Sequence, residues 1–221
     1  MNIKINIQKI TQNLPSGCQL VAVSKTKSAA LIQEAYDAGQ RHFGENKVQE
    51  LVPKFETLPK DICWHMIGHL QSNKVKYIAP FVYLIHSIDS ERLLAEVNKQ
   101  AAKSNRVIPC LLQVHIAKEE TKFGFSTDEV KAFIKSSNIA TYDHVRISGL
   151  MGMATLTDDE NQVREEFRTL RLAFYDLRNS TLPANAAMEI LSMGMSGDYS
   201  LAVAEGSTMV RVGSALFGDR S

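Results

Sequence analysis

The feature that most constrains this chain is a repeated texture. A short apolar run, a turn and a stretch with helical spacing recur eight times. The runs lie at 19–25 (QLVAVSK), 41–46 (RHFGEN), 62–68 (ICWHMIG), 82–89 (VYLIHSID), 108–116 (IPCLLQVHI), 144–153 (HVRISGLMGM), 188–196 (MEILSMGMS) and 208–218 (TMVRVGSALFG). Most are continuously apolar, as strands are when a parallel sheet is covered on both faces. Helical stretches separate them. Ser28 is placed to cap one that runs through Leu31, Ile32 and Ala35 and stops at Gly39. Ser90 opens another with Leu93, Leu94, Val97 and Ala101 on one face. Val163, Phe167, Leu170, Phe174 and Leu177 step by four and three, which draws a core-facing stripe. Strand–helix alternation implies parallel βαβ units with right-handed crossovers. Eight of them in 221 residues predict a single (β/α)8 TIM barrel over 1–221, with a doubly wound sheet as the alternative. A barrel gathers its chemistry at the C-terminal ends of the strands, and binds phosphate beside the loops after strands seven and eight.

Composition narrows the partners. A formal net charge of +1 gives no reason to expect nucleic acid or an anionic membrane. No apolar run approaches the ~18 residues of a membrane span, and MNIKINIQKI lacks the apolar block of a signal peptide. Cys18, Cys63 and Cys110 are odd in number and widely spaced, which suits a reducing, cytoplasmic setting better than a disulfide framework or a zinc site.

Residues that could carry chemistry sit where a barrel would put them. Val21, Val23 and Lys25 share parity, so a barrel that packs the two valines inside brings Lys25 out at the mouth. Partial desolvation there favours the neutral, nucleophilic amine needed for a Schiff base. Position alone still favours a lysine turned to solvent. Lys27 lies in the following turn, off the barrel wall. In SMGMSGD (192–198), Gly194 and Gly197 allow close backbone approach, and Ser196 suits an N-cap whose amides favour an anion. Gly213 and Ser214 of RVGSALFG could offer an amide and a hydroxyl to the same phosphate. Arg211 shares parity with Gly213 and is either an ion-pair partner or a ligand to a ring acceptor. Asn46 ends the second run and either binds a ring hydroxyl or caps the next helix. His86 ends the fourth and lines the mouth or is a satisfied strand-end histidine. Met151 and Met153 flank a flat ring or fill the core. His65 and His69 are four apart, but Gly68 and the strand-to-turn context argue against a metal, so none is expected.

VAVSKT, FGENKVQE, WHMIGHLQSNK, HSID, GLMGM, SMGMSGD and RVGSALFG occur in that order. Together they resemble the pyridoxal 5′-phosphate (PLP) homeostasis protein family across essentially the whole chain. The resemblance implies the barrel of the alanine racemase N-terminal domain (PLP fold type III). It implies PLP held covalently as an aldimine on Lys25, with Ser196, Gly197, Gly213 and Ser214 as the phosphate cradle. It sets Arg211 against the pyridine nitrogen and Asn46 and His86 around the ring, where the residue reading also puts Met153. About two dozen residues precede Lys25, fewer than is usual in the family. The implied function is reversible storage of PLP and its supply to PLP-dependent apoenzymes, with effects on amino-acid and vitamin B6 balance and without established catalysis. An arginine opposite the ring nitrogen disfavours a pyridinium, which makes the ring a poorer electron sink.

Two rivals remain. One is a PLP-dependent amino-acid racemase of weak activity. Efficient racemisation needs a second acid/base group, which alanine racemases supply from a further domain across a dimer. With the chain ending at Ser221, just after the eighth strand, neither that domain nor a dimer is expected, and a monomer is. The other is a sugar-phosphate enzyme, with Lys25 binding substrate.

Overall fold

The computed structural model describes residues 2–118, 123–136 and 138–218. Helix α1 (Ile3–Asn13) precedes β1 (Gln19–Val23), α2 (Ala29–Asp37), β2 (His42–Glu45), α3 (Val48–Thr57), β3 (Cys63–Met66), α4 (Val75–Ile78) and β4 (Leu84–Ile88). Then come α5 (Glu91–Lys103), β5 (Ile108–Gln113), α6 (Thr127–Ile134), β6 (Val145–Met151), α7 (Glu160–Arg178), β7 (Ala186–Ser192), α8 (Tyr199–Ala204), β8 (Met209–Val212) and α9 (Ser214–Phe217). The strands pair in sequence order, all in parallel, and β8 closes on β1 through Gln19↔Met209 to Ala22↔Val212. The expected (β/α)8 barrel is therefore the fold.

Parity along each strand builds two cores. Residues pointing outward, such as Leu20, Ala22, Phe43 and Trp64, join the helices' apolar stripes in the main buried cluster. The predicted stripe of α7 lies in it whole, from Val163 to Leu177. Val21, Leu84, Leu111, Met151 and Met209 point inward and form a second, smaller cluster inside the barrel. Caps follow the sequence. The Ser28 hydroxyl accepts from Leu31 N, the Ser90 hydroxyl accepts from Leu93 N, and Gly39 follows α2 with φ of 100°. The first ten residues, which alternate apolar and polar, are helical from Ile3. Ile3, Ile7 and Ile10 are buried, whereas the intervening Ile5 is exposed. No helix among the described residues is long and apolar enough to cross a membrane.

Gly149 shapes β6. Its φ is 152°, and a Cβ there would lie 1.8 Å from Ile190 O. The register against both neighbouring strands shifts at this point. A bulge needs a residue that tolerates such backbone and such proximity.

Candidate cofactor site

A cavity of about 940 Å³ opens at the C-terminal ends of the strands. It is lined by Lys25, Asn46, Met153, Ser196, Gly197, Arg211, Gly213 and Ser214. The fold thus brings eight of the nine expected residues to one place. His86 is the exception. It is 0% exposed, lies inside β4 rather than at its end, and is absent from the cavity wall. The strand runs on to Ile88, so the HSID turn begins above the histidine. Met151 likewise points into the barrel core, leaving Met153 at the mouth.

Lys25 stands two residues past the end of β1, in line with inward-facing Val21 and with Val23 on the cavity wall. Its turn is held from behind. Lys54 Nζ donates to Ser24 O at 2.9 Å and to Glu45 Oε1 at 2.7 Å, and Ser24 Oγ donates to the same oxygen at 2.6 Å. On the other side of Lys25, Thr26 N donates to Glu50 Oε2 at 2.7 Å, with Thr26 at φ of 65°. Glu50 lies 3.6 Å from Lys54, so one ion cluster grips the backbone on both flanks of Lys25. Glu45 is fully buried, and burial raises its pKa despite Lys54 and Ser24. No motif announced this cluster, because its charged members come from β2 and α3. Lys27 lies closer than its place in the turn suggested. It lines the cavity, and its Nζ donates to Gly218 O at 3.1 Å.

Ser196 does not cap the helix after it. Asp198 is the N-cap of α8, and its carboxylate accepts from Met195 N at 2.5 Å. The Ser196 hydroxyl instead accepts from Gly213 N at 3.0 Å and Ala215 N at 3.4 Å, tying the turn after β7 to the start of α9. Arg211 sits one layer deeper, level with Val21. Its Nη1 donates to Ser192 Oγ at 2.7 Å and its Nη2 to Gly152 O at 3.0 Å. Burial pulls its pKa down to about 10, against the opposing effect of Asp198. Asn46 does not cap α3, whose N-cap is Lys47. Asn46 meets Gly68 so closely that a Cβ on the glycine would lie 2.5 Å from Asn46 O. His65 points away from His69, which is largely exposed and pairs with Asp89 at 3.3 Å. The cavity also recruits Ile67, Gln113, Phe123 and the 154–158 loop. Their only sequence signal was position at or beyond the end of a strand.

A closed parallel barrel with a lysine beyond β1 and Gly/Ser turns beyond β7 and β8 defines a class of protein. The profile of that class, described as alanine racemase, N-terminal domain, matches residues 1–221. The pyridoxal phosphate homeostasis protein of Aquifex aeolicus is 36% identical over 231 residues, covering 100% of this chain and 99% of the relative. That of Schizosaccharomyces pombe is 39% identical over 204 residues, covering 91% and 84%. Within the class, the chain belongs to the pyridoxal phosphate homeostasis protein family. Solved PipY from Synechococcus elongatus PCC7942 superposes with a TM-score of 0.91 without PLP, at 38% identity over 98% of this chain and 100% of that one. With PLP bound, the TM-score is 0.87 at 37% identity, with the same coverage. Alanine racemase from Bartonella henselae shares the barrel, at 18% identity and a TM-score of 0.72 over 58% of its length.

Proposed function

We propose that this chain binds PLP through Lys25 and holds it in reserve for PLP-dependent apoenzymes. The observation that carries the reading is the convergence of Lys25, the Ser196–Gly213 tie and Arg211 on one cavity. The donor set suits the cofactor. An amine meets an aldehyde, the Ser196 and Ser214 hydroxyls and the Gly197 amide suit a phosphate dianion, and a guanidinium suits a ring acceptor. Val23, Ile67 and Met153 supply apolar walls. Bound there, PLP would supply an aldehyde open to reversible condensation with the Lys25 amine. The ion cluster behind Lys25 fixes where that amine stands. Arg211 stays cationic at pH 7, since its lowered pKa still lies near 10, and so opposes a protonated ring nitrogen. That weakens the ring as an electron sink and favours storage over turnover.

The relatives carry the name of homeostasis proteins, which supports the same reading. Three cysteines free of disulfides support a reducing, cytoplasmic setting, and we propose a monomer. The test is the visible spectrum of purified protein with added PLP, beside Lys25→Ala. A yellow band that borohydride bleaches, fixing the cofactor's mass on the peptide of Lys25, is expected. Colourless wild type would overturn the reading, and a full band in Lys25→Ala would move the assignment to Lys27. Because the barrel is shared with alanine racemases, interconversion of L- and D-alanine is assayed alongside. Turnover at ordinary enzymatic rates, roughly 1–1000 per second, would replace storage by catalysis.

A further inference from the structure

The inside of this barrel is not uniformly apolar. Beside the Val21–Met209 cluster runs a column of three imidazoles from neighbouring strands. His42 Nδ1 lies 2.9 Å from His65 Nε2, and His65 Nδ1 lies 2.9 Å from His86 Nε2. His86 Nδ1 lies 3.1 Å from Ser192 Oγ, which accepts from Arg211 Nη1. The column climbs from half-buried His42 at the start of β2, through two fully buried rings, to the floor of the cavity.

The bonding fixes its polarity. A neutral imidazole has one donor and one acceptor nitrogen, so each link sets the next. Arg211 occupies a Ser192 lone pair, and the hydroxyl proton then needs an acceptor. His86 Nδ1 is the remaining described partner of that oxygen. His86 therefore carries its proton on Nε2 and donates to His65 Nδ1, which in turn donates from Nε2 to His42 Nδ1. The opposite polarity would leave the buried hydroxyl proton with no acceptor among the described residues. The surroundings keep the rings uncharged. Burial lowers the pKa of all three, and His86 also faces the Arg211 cation. Tyr83 packs its ring on His42 and His65, Cys63 pairs with His42 in register, and Asp198 acts on Arg211 from the α8 turn.

We infer that Ser192 and the His42–His65–His86 column are positioning residues for Arg211, poled in one direction so that a serine lone pair always faces the guanidinium and sets its approach to a ring acceptor. The inference rests on the PLP reading for its consequence, but not for its geometry. The first test uses the ligand-free protein. Long-range ¹⁵N–¹H correlation should show three neutral Nε2–H imidazoles at pH 7. A cationic ring, or an Nδ1–H tautomer in any of them, would overturn the polarity.

The second test uses protein loaded with PLP. Ser192→Ala should retain the borohydride-reducible adduct on Lys25, hold PLP about tenfold more weakly, as the loss of one hydrogen bond to a charged group implies, and displace the pH profile of the visible band. Ser192→Thr, which keeps the hydroxyl, should restore both. His42→Leu, at the far end of the column, should displace the profile in the same direction and serves if Ser192→Ala does not fold. Wild-type spectra and retention in Ser192→Ala, or in His42→Leu where only that variant folds, would sink the positioning role and leave the cofactor reading intact. Failure of the wild type to take up PLP would sink the cofactor reading, with the ligand-free tautomers still deciding the column.

Discussion

Replacing Lys54 by Met tests the ion cluster behind Lys25. Methionine keeps most of the aliphatic stem and removes the charge, leaving the Glu45 carboxylate with the Ser24 hydroxyl alone. The Glu45 side chain is 0% exposed and that of Lys54 11%, so solvent screens the pair little. Breaking a buried pair by removing one member costs about 3–5 kcal/mol, and the retained serine bond puts this case near 3. For a chain of this length that is roughly 6–12 °C in Tm. The deficit should also depend on pH. Glu45 already has a raised folded pKa, and without Lys54 it rises further. The folded state then holds its proton more tightly than the unfolded chain, so stability falls as pH climbs above the unfolded value near 4.3 and through the folded one. Urea titrations at pH 8, 7, 6 and 5 should therefore show the gap between variant and wild type narrowing on acidification, by at most about 1.4 kcal/mol per unit. Adding Glu45→Gln should recover part of the loss. A gap under about 1 kcal/mol, one flat with pH, or a double variant weaker than the single would refute the reasoning.

Two further outcomes can be checked on the same instrument. Gly149→Ala forces a Cβ to within 1.8 Å of Ile190 O at a φ of 152° and should cost several kcal/mol or abolish folding; a change under about 1 kcal/mol would mean that the bulge is not tight. His65 and His86 have folded pKa values well below the ordinary value of 6.5, so the unfolded chain binds more protons below about pH 6.5. Their contribution is complete above that value and is lost as pH falls through the folded pKa values. Glu45 and Asp198 pull the opposite way, so the measurement belongs in a Glu45→Gln, Asp198→Asn background, where a flat urea midpoint from pH 7.5 to 5 would count against neutral buried rings.

The barrel was readable because its cause is local. Burial on both faces writes continuous apolar runs, and caps such as Ser28 and Ser90 mark where helices begin. Parity brought Lys25 to the mouth but left a solvent-facing lysine the better reading, and the ordered motifs singled it out; the serines and glycines stood out by their place after strands seven and eight. What the sequence hid depends on register. His42, His65 and His86 are 21 or more residues apart, and they form a column only because three strands align at offsets that no single stretch encodes. Glu45, Glu50 and Lys54 look like ordinary charges until β2 and α3 fold against the β1 turn. Helix α1 was obscured by Ile5, an apolar residue on the wet face, which gives a helical stripe the look of alternation.

Thr26 carries a last consequence. A β-branched residue at φ of 65° sits about 1–3 kcal/mol uphill of its preferred backbone, and Glu50 holds it there. The turn that presents Lys25 is therefore under tension, like a drawn spring whose latch is a carboxylate in the next helix. A glycine at 26 would slacken it and make the fold sturdier, but the lysine would then wander. In this barrel, sharpness of aim and ease of folding are opposed at a single residue.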